Sequence, residues 1–206
     1  VSTSSEDKVR LRSDAELAEQ ADGLQRLSDA LTSIGLPHFL SGGTLLGAVR
    51  EGDFIRWDWD VEVSVRTEEA LPVLAEASAA ITTKGLTVVA VDDTERNLKI
   101  VAHLGAAVFE VRGYQLIGES RQRHDFRTLD RFFREATTID FRGRTYACLG
   151  PTDAYLTDRY GAWRTPIRSA VKSQYLSENY FIRSARQRRM TAFIRAAARR
   201  VLGRRR

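Results

Sequence analysis

Helical and extended hydrophobic patterns alternate along the 206 residues, which predicts an α/β protein: a β-sheet flanked by helices. Three observations carry this. A capping box precedes a long amphipathic pattern near the N-terminus. A strictly alternating strand starts at Asp58. A second helix pattern then leads into three further strand patterns.

Ser13 and Glu16 form the capping box. Leu17, Leu24, Leu27, Leu31 and Ile34 then share one helical face, until Gly35 and Pro37 stop the helix. A short strand is expected at His38–Ser41. Gly42-Gly43-Thr44 reads as a turn into a short apolar helix from Leu45 to about Arg50. From Asp58, the side chains of Asp58, Asp60, Glu62 and Ser64 fall on one face of a strand, and Trp59, Val61, Val63 and Val65 on the other. A helix is expected over about Glu69–Thr83, with Pro72 confined to its first turn. Strands are expected at Leu86–Val91, Leu98–Leu104 and Ala107–Tyr114. Thr137–Phe141 and Thr145–Cys148 flank Arg142-Gly143 as a hairpin. A helix opens at Pro151-Thr152-Asp153 and ends at Gly161, and another is expected from Val171 to Ile182. No internal repeat is evident.

Composition narrows the function. Hydrophobic residues make up 43% and charged residues 29%, a globular balance. No apolar run is long enough to span a bilayer as a helix. Val1–Arg12 is polar, so no signal peptide is expected, and a cytoplasmic protein is the default. The single Cys148 rules out an internal disulfide and a cysteine zinc cage, and the histidines lack ligand spacing. The net charge of +5 is uneven: Arg183–Arg206 holds ten arginines and no acid, leaving 22 basic and 27 acidic groups elsewhere. The organisation is therefore a mildly acidic domain over residues 1–182 and a basic tail over 183–206. The acidic main domain argues against a nucleic-acid partner. In the tail, Met190, Phe193, Ile194, Ala197 and Val201 form an apolar stripe, with Arg188, Arg195 and Arg199 mostly off it. A basic amphipathic helix of this kind suits an anionic membrane surface, or packing on the enzyme's own core.

The chemistry concentrates in Ser41–Val65. Glycines at 42 and 43 permit close backbone approach, and a helix start offers N–H groups to phosphate, with Thr44 adding a hydroxyl. Two carboxylates, Asp58 and Asp60, project together and suit a hard cation such as Mg²⁺. Phosphate cradle and metal site together are what phosphoryl transfer needs. Each feature alone has a plainer explanation, a turn or a solvated strand; their conjunction favours the functional one.

These residues resemble the nucleotidyltransferase superfamily pattern of G-G-[ST], a spacer, then D-x-[DE]. The closer resemblance is to its LicD/fukutin-type branch. Gly43-Thr44-Leu45-Leu46-Gly47-Ala48-Val49-Arg50 matches G-T-L-L-G-x-x-R, and Phe54-Ile55-x-Trp57-Asp58-x-Asp60 matches the following block. Tyr155-Leu156-Thr157-Asp158-Arg159-Tyr160-Gly161 matches the later Y-L-x-x-x-Y-G. The resemblance covers roughly Leu31 to Pro166. In departure from the family, Arg56 replaces a proline before Trp57 and is expected to add positive charge at the site mouth.

The resemblance implies a minimal nucleotidyltransferase core with a mixed sheet. It also implies a phosphotransferase using Mg²⁺ or Mn²⁺, which moves phosphocholine, ribitol phosphate or a similar group from a CDP-activated donor to a hydroxyl of a glycan or lipid-linked glycan. The latter would place the enzyme peripherally at the inner membrane surface. A third carboxylate facing the same metal is expected; Glu110, interrupting an apolar strand, is preferred as metal ligand or general base, with Glu62 the runner-up. Arg50 and Lys99 are candidates to neutralise donor phosphates. Trp57 is expected beside the site, packing or stacking on a base. Two other classes remain open: another nucleotidyltransferase, acting on a small molecule or protein, and a non-catalytic nucleotide- or glycan-binding module.

Overall fold

The computed structural model describes residues 10–182. Its backbone starts as the capping box dictates: helix α1 (Asp14–Ser33) has the Ser13 side chain on the Glu16 N–H and the Glu16 carboxylate on the Ser13 N–H. Then follow β1 (Phe39–Leu40), α2 (Gly42–Arg50) and β2 (Asp60–Arg66). The expected helix over Glu69–Thr83 is broken in three: α3 (Thr67–Ala70), a 3₁₀ turn over Leu71–Val73, and α4 (Leu74–Thr83). Pro72, at the start of that turn, has no N–H to continue the ladder of α3. Strands β3 (Thr87–Asp92), β4 (Lys99–Leu104) and β5 (Ala107–Ile117) come next.

A second hairpin, β6 (Ser120–Arg123) and β7 (Phe126–Leu129), and a short helix α5 (Arg131–Arg134) were not expected. Their alternation is masked by arginines, of which Arg121 is buried against Asp130 and Glu68. Strands β8 (Thr137–Phe141) and β9 (Arg144–Cys148) form the expected hairpin, and α6 (Thr152–Tyr160) ends at Gly161. The helix expected from Val171 to Ile182 is not continuous: only α7 (Lys172–Tyr175) and a 3₁₀ turn at Glu178–Tyr180 form. Ser177 interrupts it, donating its N–H to Arg159 O and capping Asn179 N with its side chain. The basic helix expected beyond Ile182 lies outside the described residues.

The main sheet runs β3-β4-β5-β2-β1-β9-β8, with β6 and β7 continuing from β5. It is mixed: β2–β5 and β1–β9 are parallel, and the remaining pairs antiparallel. One face carries Val61, Val63, Val65, Phe109, Val111 and Ile100, each at most 1% exposed. The α1 and α4 helices contact each other, and α1 covers β4 and β5. On the opposite face, alternation places the polar residues of β2 and β5 together. The register sets Glu62 beside Glu110 and Asp60 beside Val108, while β4 sets Lys99 beside Arg112. This polar face is the floor of the candidate site.

Candidate active site

A cleft of about 540 Å³ opens over that floor. Asp58, Asp60, Glu62 and Glu110 all line it, as do Gly43, Arg50, Trp57 and Lys99. Gly42 and Thr44 are buried and do not line it. The strand does not start at Asp58 as expected. Asp58 sits in a turn, its N–H donating to Ile55 O at 2.8 Å, and reaches Asp60 from there. Burial first, and the adjacent Asp60 carboxylate second, push the Asp58 carboxyl up to about 8. Two acids this close need a shared proton or a cation between them.

The two glycines lie within the first turn of α2 rather than before it. Gly42 has φ +56°, and a Cβ on it would overlap Glu62 Oε1; a Cβ on Gly43 would overlap Asp58 Oδ2. The glycines thus let two carboxylates close onto the helix N-terminus, whose dipole favours negative charge. Gly43 N–H donates to Glu62 Oε1 at 3.1 Å, and Gly42 N–H to the Tyr155 hydroxyl at 3.0 Å. Two amides expected to cradle phosphate are therefore engaged inside the protein. The Thr44 hydroxyl accepts the Glu62 N–H at 2.8 Å and is buried, so it fixes β2 to α2.

Arg112 organises the floor. Its Nη2 lies 2.6 Å from Asp60 Oδ2, its Nε 2.6 Å from Glu110 Oε2, and its Nη1 contacts Glu62 Oε2. Lys99 Nζ is 3.3 Å from Glu110 Oε1. Glu110 is 6% exposed in the middle of β5. Burial, then Asp60, raise its carboxyl, against the pull of Lys99. Arg112 is not among the residues the sequence singles out. Alternation along β5, which puts it two residues from Glu110 on the same face, could have flagged it.

Glu62, the runner-up carboxylate, is held from both sides. Besides Arg112 it takes Arg159 Nη2 at 2.8 Å. Arg159 and Tyr155 stand four apart on α6, so they share a face, and Arg159 Nη1 donates to the Tyr155 hydroxyl at 3.0 Å. The later block thus braces the start of α2 and the middle of β2 from behind, and Tyr160 lines the cleft. Arg159 lay within the quoted block but was not singled out.

Arg50 ends α2, pairing with Glu51 at 2.7 Å and donating to Trp163 O at 3.1 Å. Trp57 packs against the core while lining the cleft. Arg56 does not bring charge to the mouth: it turns away to Asp14 Oδ1 at 2.5 Å and Arg12 O at 3.1 Å. His38 is structural, between Ser28 and Leu36 O, whereas His124 lines the cleft.

The donor set fits a hard divalent cation at two carboxylates. Among the described residues no three His, Cys, Asp or Glu side chains are grouped to hold a metal. Magnesium commonly takes one or two protein carboxylates and completes its shell with water and substrate phosphates. Asp58 and Asp60 meet that requirement, with Asp60 also held by Arg112; beside Arg112, Glu110 carries Lys99 and Glu62 carries Arg159.

A mixed sheet with an acid pair beside a Gly-Gly helix is the arrangement that the resemblance to nucleotidyltransferases implies. The model of the LicD/FKTN/FKRP nucleotidyltransferase domain matches residues 35–148, more than half of the 206-residue chain. The chain belongs to the LicD/FKTN/FKRP family. Over 39 residues it is 46% identical to the ribitol 5-phosphate transferase FKRP of Mus musculus and of Homo sapiens. That stretch is 19% of this chain and 8% of each relative, so the chain matches only a small part of their length. Solved structures with similarity include the antibiotic-resistance factor ANT(2'')-Ia in solution, 17% identical with TM-score 0.46, covering 65% of this chain and 66% of that one. Another is terminal uridylyl transferase 4 from Trypanosoma brucei with bound CTP, 14% identical with TM-score 0.34, covering 53% and 36%.

Proposed function

We propose that the chain is a Mg²⁺- or Mn²⁺-dependent phosphotransferase that moves a phospho-alcohol from a CDP-activated donor to a glycan hydroxyl. The family and its transferase members support the class of reaction. The observation that carries the reading is the Asp58–Asp60 pair lining the cleft floor, with Gly43 leaving room for Asp58 against α2. A cation bound there would neutralise charge on the donor phosphates.

The chain's own residues do the rest. Gly43 leaves room for the Asp58 carboxylate against α2. Arg112 holds Asp60 and Glu110 on one planar guanidinium, fixing their spacing before substrate arrives. Glu110, raised by burial, takes the proton of the acceptor hydroxyl as it attacks phosphorus and CMP leaves. Arg50 and Lys99, which line the cleft, offset charge on the donor phosphates. Trp57 and Trp163 form an apolar wall for the organic part of the donor.

A donor screen tests this. CDP-choline, CDP-ribitol, CDP-glycerol and plain nucleotides are incubated with the chain, Mg²⁺ or Mn²⁺ and glycan acceptors, and CMP release is followed. Metal- and acceptor-dependent CMP release from one CDP-alcohol is expected. Nucleotide transfer with release of pyrophosphate from a plain nucleotide would place the chain with the other nucleotidyltransferases instead.

A further inference from the structure

The cleft is not symmetrical about the aspartates. On the α2 side it is apolar and aromatic, with Leu46, Ile55, Trp57 and Trp163. On the Glu110 side it carries Arg123, at the end of β6, and Lys172, at the start of α7. The two cations repel each other within the cleft, and neighbouring contacts hold each segment in place. His124 N–H donates to Arg96 O at 3.0 Å, tying the end of β6 to the turn before β4. The Lys172 ammonium lies 4.9 Å from the centroid of the Phe126 ring, at the start of β7.

The other Lys and Arg side chains lining the cleft each have a carboxylate. Arg50 has Glu51, Lys99 has Glu110, Arg112 has three acids, and Arg159 has Glu62. Among the described residues, Arg123 and Lys172 make no ion pair, and Arg123 Nε is buried without a hydrogen-bond partner. Burial, and then Arg112, lower the pKa of both cations. These outweigh the opposing pull of Glu110 on Arg123 and of Asp60 on Lys172, neither of which is close enough for an ion pair. Asn97 lines the same end; its Nδ2 is spent on Asp92, and its Oδ1 is buried with no donor. A ligand filling this end would pair the buried Arg123 Nε, draw in the solvent-exposed Lys172 ammonium and offer Asn97 Oδ1 one hydroxyl, which is the chemistry of a phosphorylated sugar or polyol.

We propose that Arg123 and Lys172 form an anion subsite for a phosphate group carried by the acceptor, with Asn97 Oδ1 accepting from a neighbouring acceptor hydroxyl. Assignment to the acceptor rests on the transferase reading above, because the subsite flanks Glu110 rather than α2. The anion subsite itself does not.

The test uses the full chain and inorganic phosphate as probe, first in EDTA, with binding followed by calorimetry. Saturable binding is expected. Arg123→Gln and Lys172→Met should each weaken it by about tenfold, the scale of one charge-assisted hydrogen bond. Arg123→Lys should fall between wild type and Arg123→Gln, and Arg56→Gln, outside the cleft, should match wild type. Circular dichroism melts confirm that each variant is folded, and Lys172→Met, on a short peripheral helix, serves if Arg123→Gln does not fold. Saturating CDP with Mg²⁺ should leave phosphate bound. No saturable binding, or equal binding by Arg123→Gln and Lys172→Met, overturns the subsite. Displacement by CDP overturns the assignment to the acceptor. A failed donor screen with Arg123-dependent phosphate binding would sink the transferase reading and leave the subsite standing.

Discussion

Single residues at the cleft floor trade stability for function. Asp58 and Asp60 repel each other in a partly desolvated site, so replacing one relieves the folded protein while removing a cation ligand. Asp58→Asn and Asp60→Asn should each abolish turnover, by at least about 100-fold in kcat. In EDTA, the thermal midpoint of Asp58→Asn should be no lower than wild type. Full turnover in either folded variant would refute the metal-dependent mechanism. Gly43→Ala tests the same geometry from the other side. Its Cβ would overlap Asp58 Oδ2, so the carboxylate must move off α2. Displacements near 1 Å at a reacting centre cost about 100-fold, and kcat should fall by that order with the α-helical circular dichroism unchanged. Retained kcat would mean that the Asp58 position is not critical.

At the scale of elements, the N-terminal cap of α1 makes a pH-dependent contribution. The Arg10 guanidinium first, and then the Ser13 backbone N–H, hold the Glu16 carboxyl down at about 2 against 4.5 unfolded. A depressed carboxyl stabilises above the unfolded value and loses that stabilisation as pH falls from 4.5 through about 2. The pair faces solvent, so its worth is about 1 kcal/mol or less. Glu16→Gln should lower the urea midpoint at pH 7 and converge on wild type between pH 4.5 and 2; a constant gap would remove the charge from the account. This element was legible because capping is local. Ser13 and Glu16 suffice to write it, and the hairpin at Arg142-Gly143 is legible for the same reason. The alternation of β2 shows its two faces and with them Asp60 and Glu62, whereas Asp58 reaches the same face from the turn before it. The rest depends on contacts distant in sequence. Arg112 reads as a flanking charge until β4 and β2 are placed beside β5, and Arg159 reads as surface until α6 docks under β2. The β6–β7 hairpin was hidden because Arg121 is buried, which no local pattern announces. The expected helix from Val171 yields to Ser177 and to the pairing of Phe181 with Phe126.

Across the whole molecule, the cleft is assembled from segments far apart in the chain, and a buried ion pair joins two of them. Glu62 on β2 and Arg159 on α6 are 4% and 7% exposed, and they meet at 2.8 Å. Removing one partner of a buried pair leaves the other uncompensated, at about 3–5 kcal/mol. Here Glu62 keeps Arg112, so Arg159→Met should fall at the lower end, about 3 kcal/mol. For a chain of this size that is a drop of about 6–12 °C in thermal midpoint. Arg159→Met also frees Tyr155, which accepts from Gly42 at the start of α2, so the loss should reach the cleft: Mg²⁺-dependent turnover should fall along with stability. Glu62→Gln alone should destabilise by a similar amount, since it strips a carboxylate from two arginines and from the Gly43 amide. If the pair acts as one brace, the double variant will cost less than the two singles together by at least about 1 kcal/mol. Denaturant midpoints of the four proteins measure this directly. Strict additivity would mean that Glu62 and Arg159 stabilise their own elements separately, and that the Tyr155–Arg159 block reaches the cleft through packing alone.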